Sequence, residues 1–123
     1  MLEGFLRTKA EKRGLVLHVE SAGTHWSAKK KMSPSLPTYV CMRKRGIDVS
    51  SYRSRHLDEI KDLSRFDLVI AVTPEIAFQV TRRNYVGTLY VVDVPNPFGR
   101  NVATYETCAA LLEQIAENIV GAL

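Results

Sequence analysis

The side chains of this sequence with the greatest potential for chemistry are its two cysteines and three histidines. Two cysteines are too few and too far apart for a disulfide framework or a metal site. Cys41 and Cys108 each lie on the apolar face of a predicted helix, where a free thiol behaves as a small hydrophobic group. His18, His25 and His56 lack the spacing of metal ligands. We therefore expect neither a metal ion nor a cofactor.

The remaining polar candidates follow apolar segments. Residues 20–24 (ESAGT) come after the first apolar run, and residues 93–99 (DVPNPFG) come after the last one. In a doubly wound parallel sheet, ligands bind outside the carboxyl ends of the strands. Both blocks are therefore candidates for positions beside a ligand.

Helical segments alternate with short apolar runs along the chain. Apolar residues at helical spacing predict helices over residues 1–13, from about 37 to 45, and over 102–123, and Thr73-Pro74-Glu75 caps another helix. Residues 57–63 predict a short helix or a turn. The runs at 15–21, 67–72 and 88–93 predict strands. This alternation indicates a single α/β domain, residues 1–123, with a parallel sheet covered on both faces.

Five blocks in this order and at these spacings resemble the low-molecular-weight protein tyrosine phosphatase family. They are MLE (1–3), ESAGT (20–24), RGIDVS (45–50), FDLVIA (66–71) and DVPNPFG (93–99). The resemblance implies a three-layer parallel sheet of the phosphotyrosine phosphatase I type. It also implies hydrolysis of phosphate monoesters through a cysteinyl-phosphate, with a phosphorylated protein or a small phosphate ester as substrate.

The family begins with a strand and a loop of pattern C-x5-R-S-P-M-A-E, whose last M and E match Met1 and Glu3. The resemblance therefore implies that the nucleophilic cysteine and the phosphate-binding arginine lie ahead of residue 1. Neither Cys41 nor Cys108 is followed by arginine six residues later. We expect the first strand, an interior member of the family's 2-1-3-4 sheet, to be missing. Residues 15–21 would then pair directly with 67–72 or leave a gap.

The family's general acid is an aspartate in a D-P-[YF] motif, and here the motif reads Asn96-Pro97-Phe98. A carboxamide has no proton to donate at physiological pH, so Asn96 is expected not to act as an acid. The loss of a general acid costs on the order of 10²–10⁴ in rate. We therefore expect this chain to be catalytically inactive as written.

The resemblance also implies roles for four other residues. Ser21 matches a serine that hydrogen-bonds beneath the catalytic loop, and Tyr52 stands where members often have a histidine of the same network. An offset of one residue would place Ser51 there instead. Trp26 and Phe98 would flank the mouth of the site and stack on a planar substrate group.

The amino-acid composition limits the classes of partner that we expect for this protein. The net charge is +4, with basic residues crowded in the first half of the chain. A positive rim could steer an anionic substrate, although solvated surface lysines explain the same pattern. No aromatic residues interleave with the basic ones as in nucleic-acid stacking surfaces, so we expect no nucleic acid. No stretch is long and apolar enough to span a membrane, and a cytoplasmic location without membrane contact is the expectation.

Two hypotheses remain. The first is an incomplete phosphatase, which the match of Met1 to the motif's methionine favours. The second is a degenerate phosphatase-like module that binds or regulates, which Asn96 favours. Arsenate reduction on the same fold needs further redox cysteines, and residues 67–95 contain none. Without the interior strand, the sheet edges would be exposed, which favours self-association.

Overall fold

The computed structural model describes residues 1–123 and contains four α-helices and two β-strands. The helices are α1 (Leu2–Lys12), α2 (Leu36–Lys44), α3 (Pro74–Arg82) and α4 (Val102–Gly121). The strands are β1 (Leu68–Ala71) and β2 (Thr88–Val91). Short 3₁₀ turns occupy Trp26–Lys30, Leu57–Glu59 and Leu63–Arg65. The α/β class and the four predicted helices are confirmed.

Local sequence explains where the helices begin and end. The Thr73 hydroxyl accepts the Ile76 N–H at 3.2 Å, and Asn101 Oδ1 accepts the Thr104 N–H at 2.9 Å, so both residues cap the helices that follow. Gly14 and Gly46 follow α1 and α2 with positive φ angles of 67° and 76°. Glycine adopts this left-handed conformation without the cost that a Cβ imposes.

The sheet consists of β1 and β2 in parallel, with Leu68 paired to Thr88 and Ala71 to Val91. The pairing continues past the strands, because the Val92 N–H donates to the Ala71 carbonyl at 2.9 Å and the Val94 N–H to that of Val72 at 2.8 Å. Of the three expected strands, those at 67–72 and 88–93 are thus confirmed.

Helices cover both faces of the sheet. Leu68 and Ile70 of β1 pack on the main core, which α1, α2 and α4 build. Val69, between them, packs with Val80 of α3 and Tyr85 in a second, smaller cluster. Since successive side chains of a strand point to opposite faces, this alternation produces the three layers that the sequence indicated.

The strand expected over residues 15–21 is not present. Apart from the Leu15 N–H, which donates to the Ala10 carbonyl, these residues make no main-chain hydrogen bonds with other main-chain groups. An apolar run becomes a strand only when a neighbouring edge supplies its hydrogen bonds, and β1 pairs with β2 alone. Of the two arrangements expected, direct pairing with β1 is therefore wrong.

Candidate functional site

A cleft of about 440 Å³ lies between α1 and two of the connecting segments. Its walls come from α1, from the segment after it, from the end of the first 3₁₀ turn and from residues 51–55. Every lining residue is charged or carries a hydroxyl: Glu3, Arg7, Ser21, Lys31, Ser51, Tyr52, Arg53, Ser54 and Arg55. Such a lining suits a small polar or anionic ligand.

The carboxylate of Glu3 organises one wall of the cleft. It accepts a hydrogen bond from the Ser21 hydroxyl at 2.5 Å and pairs with Arg7, one helical turn away, at 2.8 Å. Arg7 in turn donates to the Val19 carbonyl at 2.5 Å. These contacts join α1 to a segment that has no regular hydrogen bonds of its own, so the Glu3 carboxylate positions both Ser21 and Arg7.

Backbone contacts between two loops hold the opposite wall. The Ser54 N–H donates to the Met32 carbonyl at 2.8 Å, and the Ser54 hydroxyl accepts the Met32 N–H at 2.8 Å. Farther along, the Gly23 N–H donates to the Arg55 carbonyl at 2.8 Å, and the Leu57 N–H donates to the Gly23 carbonyl at 2.9 Å. These hydrogen bonds therefore connect the two loops at both ends of the segment that lines the cleft.

Tyr52 is half-buried in the cleft wall. Burial and, secondarily, the negative charge of Glu3 raise the pKa of its phenol. The hydroxyl consequently keeps its proton at neutral pH and can donate a hydrogen bond.

A second carboxylate, Glu20, contacts both a residue of the cleft lining and residues outside it. It pairs with Arg55 and Arg65, each at 2.7 Å, and with His18 Nε2 at 2.6 Å. The hydrogen bond with His18 is the main cause that lowers the pKa of Glu20, and the two arginines lower it further. Glu20 also lines a second cleft, of about 380 Å³, on the other side of Arg55.

His56 is a buried polar side chain, for which the sequence analysis gave only the lack of metal-ligand spacing. Its Nδ1 accepts the Asp58 N–H at 3.0 Å, and its Nε2 lies 3.2 Å from the Thr24 carbonyl. This geometry assigns the proton to Nε2, which then donates to Thr24. His56 therefore locks the two loops together beneath the cleft, a role that only the three-dimensional contacts reveal.

The structure brings some of the sequence-predicted residues together and not others. Ser21, Tyr52 and Ser51 line the same cleft. Trp26 is 62% exposed, with the Lys30 ammonium 4.4 Å from its ring centroid, and does not line this cleft.

The loop that carries Asn96 and Phe98 also lies outside the lining of this cleft. Asn96 is exposed, and its Oδ1 accepts the Phe98 N–H at 3.1 Å. Phe98 is 77% exposed. The roles of both residues stay predictions.

Sequence reasoning missed most of the charged lining. Lys31, Arg53 and Arg55 belong to the basic residues of the first half of the chain, which were considered only as a positive rim, and Arg7 was not singled out. A helical i, i+4 pairing of Glu3 with Arg7 was a readable signal. Lys31 carried none, because its place depends on long-range loop contacts.

Both thiols are buried in the main core. Cys41 is completely inaccessible and Cys108 is 6% exposed. Burial raises the pKa of each thiol, with a further contribution from Glu106 at Cys41. Because the thiolate is the nucleophilic form, neither cysteine is suited to attack a substrate.

No three histidine, cysteine or carboxylate side chains of the chain are grouped so that they could hold a metal ion. No helix is long and apolar enough to cross a membrane.

Family comparison identifies the class of protein. A sequence model of the low molecular weight phosphotyrosine protein phosphatase family matches residues 1–123, and the chain belongs to this family. No protein of curated function was found to match the sequence.

Solved structures share the fold. A low molecular weight protein tyrosine phosphatase from T. tengcongensis is similar with a TM-score of 0.87 and 23% identity, covering 99% of this chain and 88% of that one. Vibrio vulnificus Wzb, solved in complex with benzylphosphonate, is similar with a TM-score of 0.85 and 16% identity, covering 99% of this chain and 88% of that one. A mutant of YwlE from Bacillus subtilis is similar with a TM-score of 0.84 and 20% identity, covering 98% of this chain and 86% of that one. At these identities the likeness establishes the fold.

The lowered pKa of Glu20 predicts a pH-dependent contribution to stability. A depressed carboxyl pKa stabilises the fold at pH values above the unfolded pKa, and this contribution is lost as pH falls through the folded pKa. Glu20→Gln should therefore lower the free energy of unfolding by about 1 kcal/mol at pH 7 and by much less at pH 3. Urea unfolding at both pH values measures the difference.

Glu11→Gln is the matched control, since Glu11 is exposed on α1 and makes no ion pair. It should leave the unfolding midpoint nearly unchanged at both pH values. An equal loss for Glu20→Gln at pH 3 and pH 7 would show that the carboxylate charge contributes nothing.

Proposed function

We propose that residues 1–123 form the substrate-receiving part of a phosphatase of this family and do not themselves hydrolyse phosphate monoesters through cysteine. The observation that carries this proposal is the burial of both thiols, Cys41 and Cys108, in the main core. Neither is followed by the arginine of a C-x5-R loop. Family membership supports phosphate esters as the substrate class.

Cysteine-dependent hydrolysis needs a thiolate, an arginine that clamps the phosphate oxygens, and an acid that protonates the leaving group. We propose that the strand and loop bearing the first two are absent from residues 1–123. A chain carrying them ahead of residue 1 would place that strand at the free edge of β1. The one-sided pairing of β1 supports this placement.

We propose further that Asn96 occupies the position of the general acid. Its support is the Asn96-Pro97-Phe98 sequence in the segment that leads from β2 to α4. Asn96 Oδ1 accepts the Phe98 N–H, as an aspartate oxygen could. The amide therefore preserves the local turn while it removes the proton that catalysis requires.

The second candidate function is a module that binds phosphorylated partners without hydrolysing them. The charged cleft beside α1 favours it, because that cleft exists without any contribution from a nucleophile. In both cases the partner is a phosphorylated protein or a small phosphate ester, with Trp26 and Phe98 proposed to contact its planar part. A cytoplasmic location and the lack of nucleic-acid binding stay predictions.

The absence of cysteine-dependent turnover is directly testable. We expect the chain to release no product from an aryl phosphate near neutral pH, and Cys41→Ser and Cys108→Ser variants to behave identically. Alkylation by iodoacetamide gives an independent readout, because both thiols should react slowly in the native protein and fast in urea. Turnover that either serine variant abolishes would contradict the proposal.

The assignment of Asn96 requires the chain to be extended ahead of residue 1 by the family's strand and C-x5-R loop. In that protein, Asn96→Asp should raise turnover of phosphotyrosine by about 10²–10⁴. An activated aryl ester should gain far less, because its leaving group needs no proton. Steady-state kinetics on both substrates measures the ratio.

Asn101→Asp is the matched control, since Asn101 Oδ1 also accepts a backbone N–H, that of Thr104. It should change neither rate appreciably. Equal and small gains on both substrates for Asn96→Asp would mean that residue 96 is not at the acid position.

We also propose that the chain self-associates through the surface beside the free edge of β1. Val16 is fully exposed in the segment without main-chain pairing, and we propose that it supplies apolar surface for this contact. Sedimentation velocity should show a concentration-dependent mass, which Val16→Lys reduces. Val86→Lys is the control, because Val86 is equally apolar and 93% exposed but lies before β2. A mass of one chain at every concentration would refute self-association.

A further inference from the structure

The cleft contains one cation that no carboxylate neutralises. Four basic side chains line it, and three are paired: Arg7 with Glu3 at 2.8 Å, Lys31 with Glu59 at 2.5 Å and Arg55 with Glu20 at 2.7 Å. The fourth is Arg53, which forms no ion pair. We propose that Arg53 is an anion-binding residue of this cleft and that its ligand is the phosphate group of a phosphate ester.

The guanidinium of Arg53 is already oriented. Its Nη1 donates to the carbonyl oxygens of Ser50 and Tyr52 at 2.8 and 2.7 Å. These bonds hold the head group against the turn that forms the cleft wall and leave the Nε and Nη2 donors unengaged. A planar fork of N–H groups with no carboxylate partner matches two oxygens of a phosphate.

Further donors lie beside Arg53. The hydroxyls of Ser51 and Tyr52 line the same cleft and make no hydrogen bond to the protein. The Ser54 hydroxyl, by contrast, is occupied by the Ala28 carbonyl and the Met32 N–H. Two hydroxyls and one guanidinium edge without a hydrogen-bond partner therefore belong to residues that line one small cleft.

The charge of the lining favours a doubly charged anion. Glu3 is the only carboxylate among the lining residues, and Arg7 and the Ser21 hydroxyl already occupy it. The single unneutralised charge of the lining, that of Arg53, attracts a dianionic phosphate more strongly than a monoanionic carboxylate. A cleft of about 440 Å³ also has room for an ester substituent, for which the Tyr52 ring supplies apolar contact surface.

This inference rests on the proposed function only for the identity of the anion as a phosphate ester. Binding at Arg53 is noncovalent and requires neither a thiolate nor an acid. It can therefore be tested on the chain as it exists, and its outcome is separate from whether Asn96 is at the acid position or whether any turnover occurs.

The experiment is a titration followed by amide chemical shifts with inorganic phosphate, phenyl phosphate and acetate as probes at constant ionic strength. We expect saturable shifts for residues 51–55 with both phosphates, tighter for phenyl phosphate, and no saturation with acetate. Arg53→Gln should weaken phosphate binding by about tenfold or more, the loss typical of a charge-assisted hydrogen bond. Arg53→Lys should bind with intermediate affinity, because the charge remains but the fork is lost.

Arg82→Gln is the matched control. Arg82 is exposed in the last turn of α3, so this substitution removes the same charge outside the cleft. It should bind phosphate like the unmodified protein. Tyr52→Phe, which keeps the ring and removes a donor, should weaken both phosphates moderately and gives a second test that does not alter the charge. Unchanged affinity in Arg53→Gln, or shifts that spread over the basic surface without saturating, would overturn the proposal.

Discussion

The burial of one face of α1 against α4 is the interaction on which the rest of the structure depends. Phe5 and Leu6 of α1 are buried in the main core, and Ala10 on the same helix is buried as well. Gly4 lies so close to α2 that a Cβ there would stand 3.0 Å from the Met42 side chain. This tight contact fixes the rotation of α1 about its axis. Because Glu3 and Arg7 lie one turn apart on the helix, their approach to Ser21 follows from the same rotation.

The cleft shows how neutralised and free charges share one small region. Glu3 pairs with Arg7, and Glu20 pairs with Arg55 and Arg65. The negative charges of both carboxylates are therefore neutralised by these arginines. Pairs of this kind contribute little stability when exposed, but they decide which guanidinium groups stay available. For binding in the cleft, the net charge of the sequence is therefore less informative than which of the cleft's own arginines lacks a carboxylate partner.

The helices, the two paired strands and the family were readable from the sequence, because they depend on local periodicity and caps. The strand expected at residues 15–21 was wrong because period and apolarity do not report whether a partner edge exists. Ser21 and Tyr52 were placed through the family resemblance, and the structure brings them to one cleft. Lys31, Arg53 and His56 could not be placed in advance. Their surroundings come from two loops that meet only through contacts such as those between Ser54 and Met32.

The proposed assignment of residue 96 to the acid position separates the fold from the chemistry. Under that proposal, a side chain here has two tasks: to accept the Phe98 N–H and to donate a proton. Asparagine performs the first, as the 3.1 Å contact of its Oδ1 shows, and has no acidic proton for the second. The local turn needs only the first of these tasks, so Asn96 and an aspartate are equally able to hold it. The same separation applies to the cleft, whose cations and hydroxyls are held by contacts among residues 3–59 and need no nucleophile to stay in place.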